Sequence, residues 1–120
     1  VPRVAIPITT VTLAGVELPT PTAGDATNDH YFANVADRTI LIAKNTDSVS
    51  RSFTIITSYT VALPDGSGSL PVDDKTYTVL NGKYFAVGVF AAAIFGQSTD
   101  SLRVYVDIAQ TTWEFWALAH

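Results

Sequence analysis

Apolar residues in this chain recur at every second position, and nowhere does a stripe with a 3.6-residue period run for three turns. Such a chain buries one face of each extended segment and folds as sheet. Residues 38–45 set Ile40 and Ile42 on one face and Thr39, Leu41 and Ala43 on the other. Residues 52–63 alternate Phe53, Ile55, Thr57, Tyr59 and Val61 against Thr54, Ile56, Ser58 and Thr60. Residues 102–108 turn Leu102, Val104, Val106 and Ile108 inward against Arg103, Tyr105 and Asp107, and 111–118 read as a final strand. All are rich in β-branched and aromatic residues.

Turn chemistry divides these segments. Residues 64–71, Pro-Asp-Gly-Ser-Gly-Ser-Leu-Pro, favour bends and positive φ and mark a hairpin or a sheet crossover. Asn81-Gly82, between strands at 75–80 and 83–89, is the strongest two-residue hairpin signal, so those two strands are expected to pair. Residues 90–95 form either a helical turn or an apolar loop closing one end of the core. The first 29 residues hold Pro2, Pro7, Pro19 and Pro21, and before Asp29 only Arg3, Glu17 and Asp25 are charged. Proline is confined to sheet edges and strand ends. Residues 1–29 are therefore expected to form an extended arm or an edge-strand segment, and 30–120 a β-sandwich, one domain overall. The fold class is all-β: an antiparallel sandwich or jelly roll of about eight short strands. At 120 residues it needs no staples to hold a core.

Composition narrows the function. Eleven acidic against seven basic residues give a net charge of −4, and the bases are scattered, so a phosphate-binding surface and a nucleic-acid partner are not expected. The absence of cysteine removes disulfides, thiolate metal sites and Cys nucleophiles. The longest apolar run, residues 84–96, is shorter than the roughly 20 residues a membrane-spanning helix needs, so no membrane association is expected. Val1-Pro-Arg shows no signal peptide, and loss of an initiator Met alone is the simpler account of this start.

The search for chemistry gives weak candidates. His30 near Asp25 and Asp29 has the residue types of an oriented base or a metal site, but reads equally as a polar loop entering a strand. Asp65, Asp73 and Asp74 match no calcium-loop spacing, and turn chemistry accounts for each. Gly66-Ser-Gly-Ser lacks the following Lys of a phosphate loop. Glu17 and Glu114, the only glutamates, are far apart in sequence. We therefore expect no catalytic residue, no metal site, no cofactor and no enzymatic activity.

Aromatic surface remains. In residues 113–118, Trp-Glu-Phe-Trp-Ala-Leu, Trp113 and Phe115 share one face while Trp116 and Leu118 share the other. Both faces are apolar. One fills the core, and the other needs cover from the N-terminal arm, a second subunit or a ligand. Packing within a two-sheet core accounts for the motif equally well, and Tyr77 and Tyr105 carry the same ambiguity.

The order of features resembles that of small structural proteins of tailed phages, those assigned as capsid decoration (head auxiliary or cement) proteins. The likeness is carried by Pro2-Arg-Val-Ala-Ile-Pro-Ile-Thr9, Gly24-Asp-Ala-Thr-Asn-Asp-His30, Tyr31-Phe-Ala-Asn34 and Thr39-Ile-Leu-Ile-Ala-Lys-Asn45-Thr. It continues through Asp73-Asp-Lys-Thr-Tyr-Thr-Val79, Gly88-Val-Phe90 and Val104-Tyr-Val-Asp107. The resemblance implies a sandwich or jelly roll made in the host cytoplasm and seated on the outer capsid surface of the virion. It implies the major capsid protein as partner and a homo-oligomer, a trimer being favoured. On this reading Val4, Ile6, Ile8, Val11 and Leu13 of the arm, with Trp113, Trp116 and Leu118 of the last strand, are the expected interface residues. Rival readings are another virion part (neck, tail or receptor-binding), a carbohydrate-binding sandwich that stacks sugars on exposed Trp and Tyr, and a small hydrolase.

Overall fold

The computed structural model describes residues 3–34, 38–57, 60–62, 66, 69–71, 74–88, 90, 96–97 and 103–119. Tyr59, Leu63, Val89 and Leu102 of the expected strands lie outside these, as do Asp65, Asp73, His120 and residues 91–95. The described chain makes thirteen short strands: β1 Val4–Ala5, β2 Ile8–Thr10, β3 Thr22–Ala23, β4 His30–Phe32, β5 Ile40–Asn45, β6 Arg51–Ile56, β7 Thr60–Ala62, β8 Ser69–Pro71, β9 Lys75–Val79, β10 Tyr84–Val87, β11 Gly96–Gln97, β12 Arg103–Ile108 and β13 Trp113–Ala119. Thirteen replace the eight or so expected: the run 52–63 divides into β6 and β7, the N-terminal segment supplies three two- or three-residue pieces, and β11 adds another.

One sheet has the order β1-β4-β12-β6-β9, with β11 also on β12. The second runs β10-β5-β13-β2, with β3 also on β13, and β7 and β8 form a small separate ladder. The sheets are mixed, which corrects the expected all-antiparallel arrangement: β1 runs parallel to β4 and β2 parallel to β13. Both exceptions come from one stretch of chain that crosses between the sheets at Ile6-Pro7 and adds a short piece to each. Pro7, with no N–H to give a ladder, stands at the crossing.

Alternation decides what is buried. β12 buries Val104, Val106 and Ile108, and β5 buries Leu41, Ala43 and Asn45. Side chains of both sheets meet around Phe53, whose ring lies 5.4 Å from Tyr77, 5.5 Å from Trp113, 6.2 Å from Phe85 and 6.4 Å from Phe115. Phe32 and Phe90 pack against one another at 5.4 Å at another point of the same core.

Asn81-Gly82 makes a turn but no hairpin. β9 pairs with β6 in the first sheet and β10 with β5 in the second, so the turn carries the chain from one sheet to the other. A hairpin of this kind wants positive φ at both central residues. Here Gly82 has φ +69° and Asn81 is not in the positive region, a type II-like turn closed by Lys83 N–H donating to the Leu80 carbonyl at 3.1 Å.

The turn is seated on Asn45, whose backbone carbonyl accepts from Gly82 N–H at 2.9 Å and whose N–H donates to the Lys83 carbonyl at 3.1 Å. The buried Asn45 amide in turn donates to the Val49 and Val79 carbonyls, each at 2.9 Å, so one side chain joins the end of β9 to the loop after β5.

Two glycines give a ranked prediction. Gly88 has φ +141°, and a Cβ there would meet Ile40 Cγ2 at 2.9 Å, with Ile40 Cα and the Thr39 carbonyl oxygen at 3.0 Å. Gly82 shares the positive φ but faces open space. Gly88→Ala is expected to lower stability by about 2 kcal/mol or more, and Gly82→Ala by about 1 kcal/mol, from backbone strain alone. Urea midpoints of the two variants check the order, and the reverse order would count against the path drawn for β10.

Candidate functional site

The N-terminal run after β2 is where the chain leaves apolar side chains in water. Thr10 ends the strand, and Val11 N–H donates to the Ala119 carbonyl at 2.7 Å, which pins the start of the run to the end of β13. Residues 12–15 then close a turn, Gly15 N–H donating to the Thr12 carbonyl at 2.9 Å with φ +89° at Gly15. The far end is pinned by Trp116, whose indole Nε1 donates to the Pro19 carbonyl at 2.9 Å. Between these anchors Val11, Leu13, Val16 and Leu18 are exposed, Leu13 fully so. Pro19 and Pro21 keep the returning chain extended until β3 joins β13.

The segment lies beside the outer face of the second sheet. There the register brings Trp116, Ile42 and Ala86 into one row and Glu114, Lys44 and Tyr84 into the next. Tyr84 is 61% exposed and lies 6.0 Å from the Trp116 ring, with the Lys44 ammonium 5.1 Å above its own. Trp116 itself keeps only 8% of its surface. Cover for the second apolar face of β13 is thus supplied by the chain itself.

The expected interface residues therefore separate. Trp113 and Ile6 lie in the core, and a partner cannot touch them while the domain is folded. Ile8 packs against that core, Val4 and Leu118 are half-buried within sheet ladders, and Val11 and Leu13 face solvent. Val16 and Leu18 extend the exposed set. A glycine turn preceding proline, with alternate apolar residues around it, was the available signal for them.

The candidate chemical groups are consumed by structure. His30 has no exposed surface. Its Nε2 accepts from Asp25 N–H at 2.9 Å, which puts the ring proton on Nδ1, 3.2 Å from the Val4 carbonyl that accepts it. The ring packs against Phe115 at 5.2 Å. Burial is the main cause of a pKa below the ordinary histidine value. Asp25 caps the turn that follows it: Oδ1 accepts from Thr27 N–H and Asn28 N–H and Oδ2 from the Asn28 amide, each at 3.0 Å. Those bonds, led by the one from Asn28 N–H, hold its carboxyl below the usual range. Asp29, in the left-handed region at φ 61°, accepts Ile108 N–H at 2.9 Å.

Elsewhere Asp47 pairs with Arg51 at 2.7 Å, and this contact is the first cause of its lowered pKa. Asp74 accepts from Thr57 N–H at 2.8 Å. Arg3 bonds Asp107 at 2.5 Å while its guanidinium lies 4.0 Å over Tyr105, and Arg103 lies 4.5 Å over Tyr31. Glu17 is exposed in the N-terminal run, and Glu114 stands opposite Lys44 in the ladder. Among the described residues no group of three His, Cys, Asp or Glu side chains is placed to hold a metal ion, and no helix is long and apolar enough to cross a membrane. No protein-family model, curated protein or solved structure matches the chain.

Proposed function

We propose that the chain is a non-enzymatic virion structural protein, a decoration or cement protein that binds the outside of a phage capsid and stabilises it. The observation that carries this reading is the run from Val11 to Leu18: apolar side chains presented to water by a segment tied down at both ends. Exposed apolar side chains of this kind characterise surfaces that a protein partner covers. The resemblance in the order of sequence motifs supplies the partner, the major capsid protein, and the expectation of a homo-oligomer, with a trimer favoured. The action needs only linkage. A ligand that binds the assembled shell and not its dissociated subunits stabilises it by RT ln(1 + [L]/Kd) per site, repeated over many sites.

The glycan-binding rival draws on exposed Trp and Tyr as stacking platforms, with Trp116 the tryptophan it would test. That ring is packed against Tyr84 and hydrogen-bonded to Pro19, so no second reading is favoured by a particular observation.

The test is copy number. Quantitative mass spectrometry of the particles that contain the protein is expected to return on the order of hundreds of copies each, as icosahedral repetition requires. About a dozen or fewer would move the protein to the neck or tail. Failure of the purified chain to bind expanded capsids would remove the decoration role.

A further inference from the structure

We propose that His30 is a proton-operated latch: its neutral ring fastens β1 and the 25–29 turn to the sandwich, and protonation in mild acid releases residues 3–29 from the sheet edges while the inner strands stay in place. This inference is independent of the virion reading.

The geometry makes the neutral ring the keeper of three segments, and the backbone of His30 adds a fourth. Nδ1–H reaches Val4 in β1, Nε2 receives Asp25 N–H at the head of the turn, the ring face meets Phe115 of β13, and the backbone pairs with Val106 of β12. A second ring proton would sit on Nε2, 2.9 Å from a backbone nitrogen that is itself a donor. One hydrogen bond would then become a clash of two N–H groups, and a buried cation would be left without water.

The charges that act on the ring come from the 25–29 turn and from Arg3 just before β1, while β13 presents the apolar ring of Phe115. Asp25 and Asp29 favour the charged form and Arg3 opposes it. Neither carboxylate is free to turn to the ring, since Asp25 caps its own turn and Asp29 holds Ile108 N–H. Arg3, which donates to the His30 carbonyl at 3.2 Å, is matched by Asp107 of β12. Burial outweighs these charges.

The sign follows from linkage. The released ring has the ordinary value near 6.5 and the latched ring a lower one, so the released form binds more protons. Latching is complete above about pH 6.5 and is lost as pH falls from there through the latched value. The released elements have short ladders: β1 and β3 of two residues, β2 of three. Their departure uncovers Ile6 and the edges of β4 and β13.

Amide hydrogen exchange of the full chain at pH 7.5 and 5.0, expressed as protection factors, tests this. Protection of residues 4–10 and 22–31 is expected to fall by about tenfold or more, while β5, β6 and β12 keep theirs. The midpoint should coincide with the titration of the His30 ring followed by NMR, and His30→Gln should abolish the pH dependence. Asp25→Asn, which keeps the capping oxygen, should retain it. If His30→Gln does not fold, the coincidence of midpoints in the unaltered chain and the Asp25→Asn result decide the matter. Unchanged protection at pH 5.0, simultaneous loss over all strands, or pH dependence that follows Asp25 overturns the latch.

Discussion

Phe53→Ala is expected to destabilise the domain by about 3–5 kcal/mol, a large share of the roughly 5–15 kcal/mol that holds a domain of this size together. Phe53 retains 1% of its surface and its ring meets four other aromatic rings. Tyr77 belongs to the same sheet, whereas Phe85, Trp113 and Phe115 come from the opposite one. Truncation therefore opens a cavity at the seam between layers, where neither sheet can close it alone. Chemical denaturation should show a large fall in midpoint with little change in slope, and Phe53→Leu should recover more than half of the loss. A loss below about 1 kcal/mol would be incompatible with the face-to-face packing of these sheets.

The second large effect concerns binding. If the chain is a decoration protein as proposed, replacing Leu13 and Val16 with Asp should weaken attachment to the capsid by about a hundredfold or more. Burying an apolar side chain of this size contributes about 1.5–3 kcal/mol, and two of them give more than two decades in Kd. Stability should change by less than about 0.5 kcal/mol, because both side chains already stand in water. That pairing of outcomes separates a contact residue from a structural one. Trp116→Ala would lower both quantities, since it also releases Pro19 and Tyr84. Full capsid binding by the double variant would exclude residues 11–18 as the contact.

How legible this protein is in its sequence varied with the length of each signal. The six-residue alternation at 103–108 buries the face that its pattern indicates, because period 2 leaves one arrangement with the apolar side inward, whereas 40–45 is apolar on both faces and its burial of Leu41, Ala43 and Asn45 is decided by the neighbouring strands. β1, β2 and β3 are too short to carry a period, and their pairing, parallel for β1 and β2 and antiparallel for β3, depends on partners far along the chain. Asn81-Gly82 specifies a turn, but the direction taken beyond it depends on φ at Asn81 and on Asn45 beneath, and neither is visible in a dipeptide. His30 shows the same limit in the site. A histidine that follows two aspartates reads the same whether the carboxylates face the ring or cap a turn. Only burial and the direction of Asp25 N–H decide. Leu13, one of the expected interface residues, is fully exposed, whereas Trp113 was not separable from Trp116 until the two faces of β13 acquired neighbours.

The parallel pairing of Ile8 with Ala117 also bears on how the protein comes into being. The third residue of β2 meets the last residue of β13, so the second sheet stays open until Ala119 has been synthesised, more than a hundred residues after Thr10. Contacts this distant in sequence demand loop closure before they return any stabilisation, which makes for slow folding. During translation the β13 side of β5 waits uncapped, and the nascent chain is most exposed to aggregation until β13 has left the ribosome.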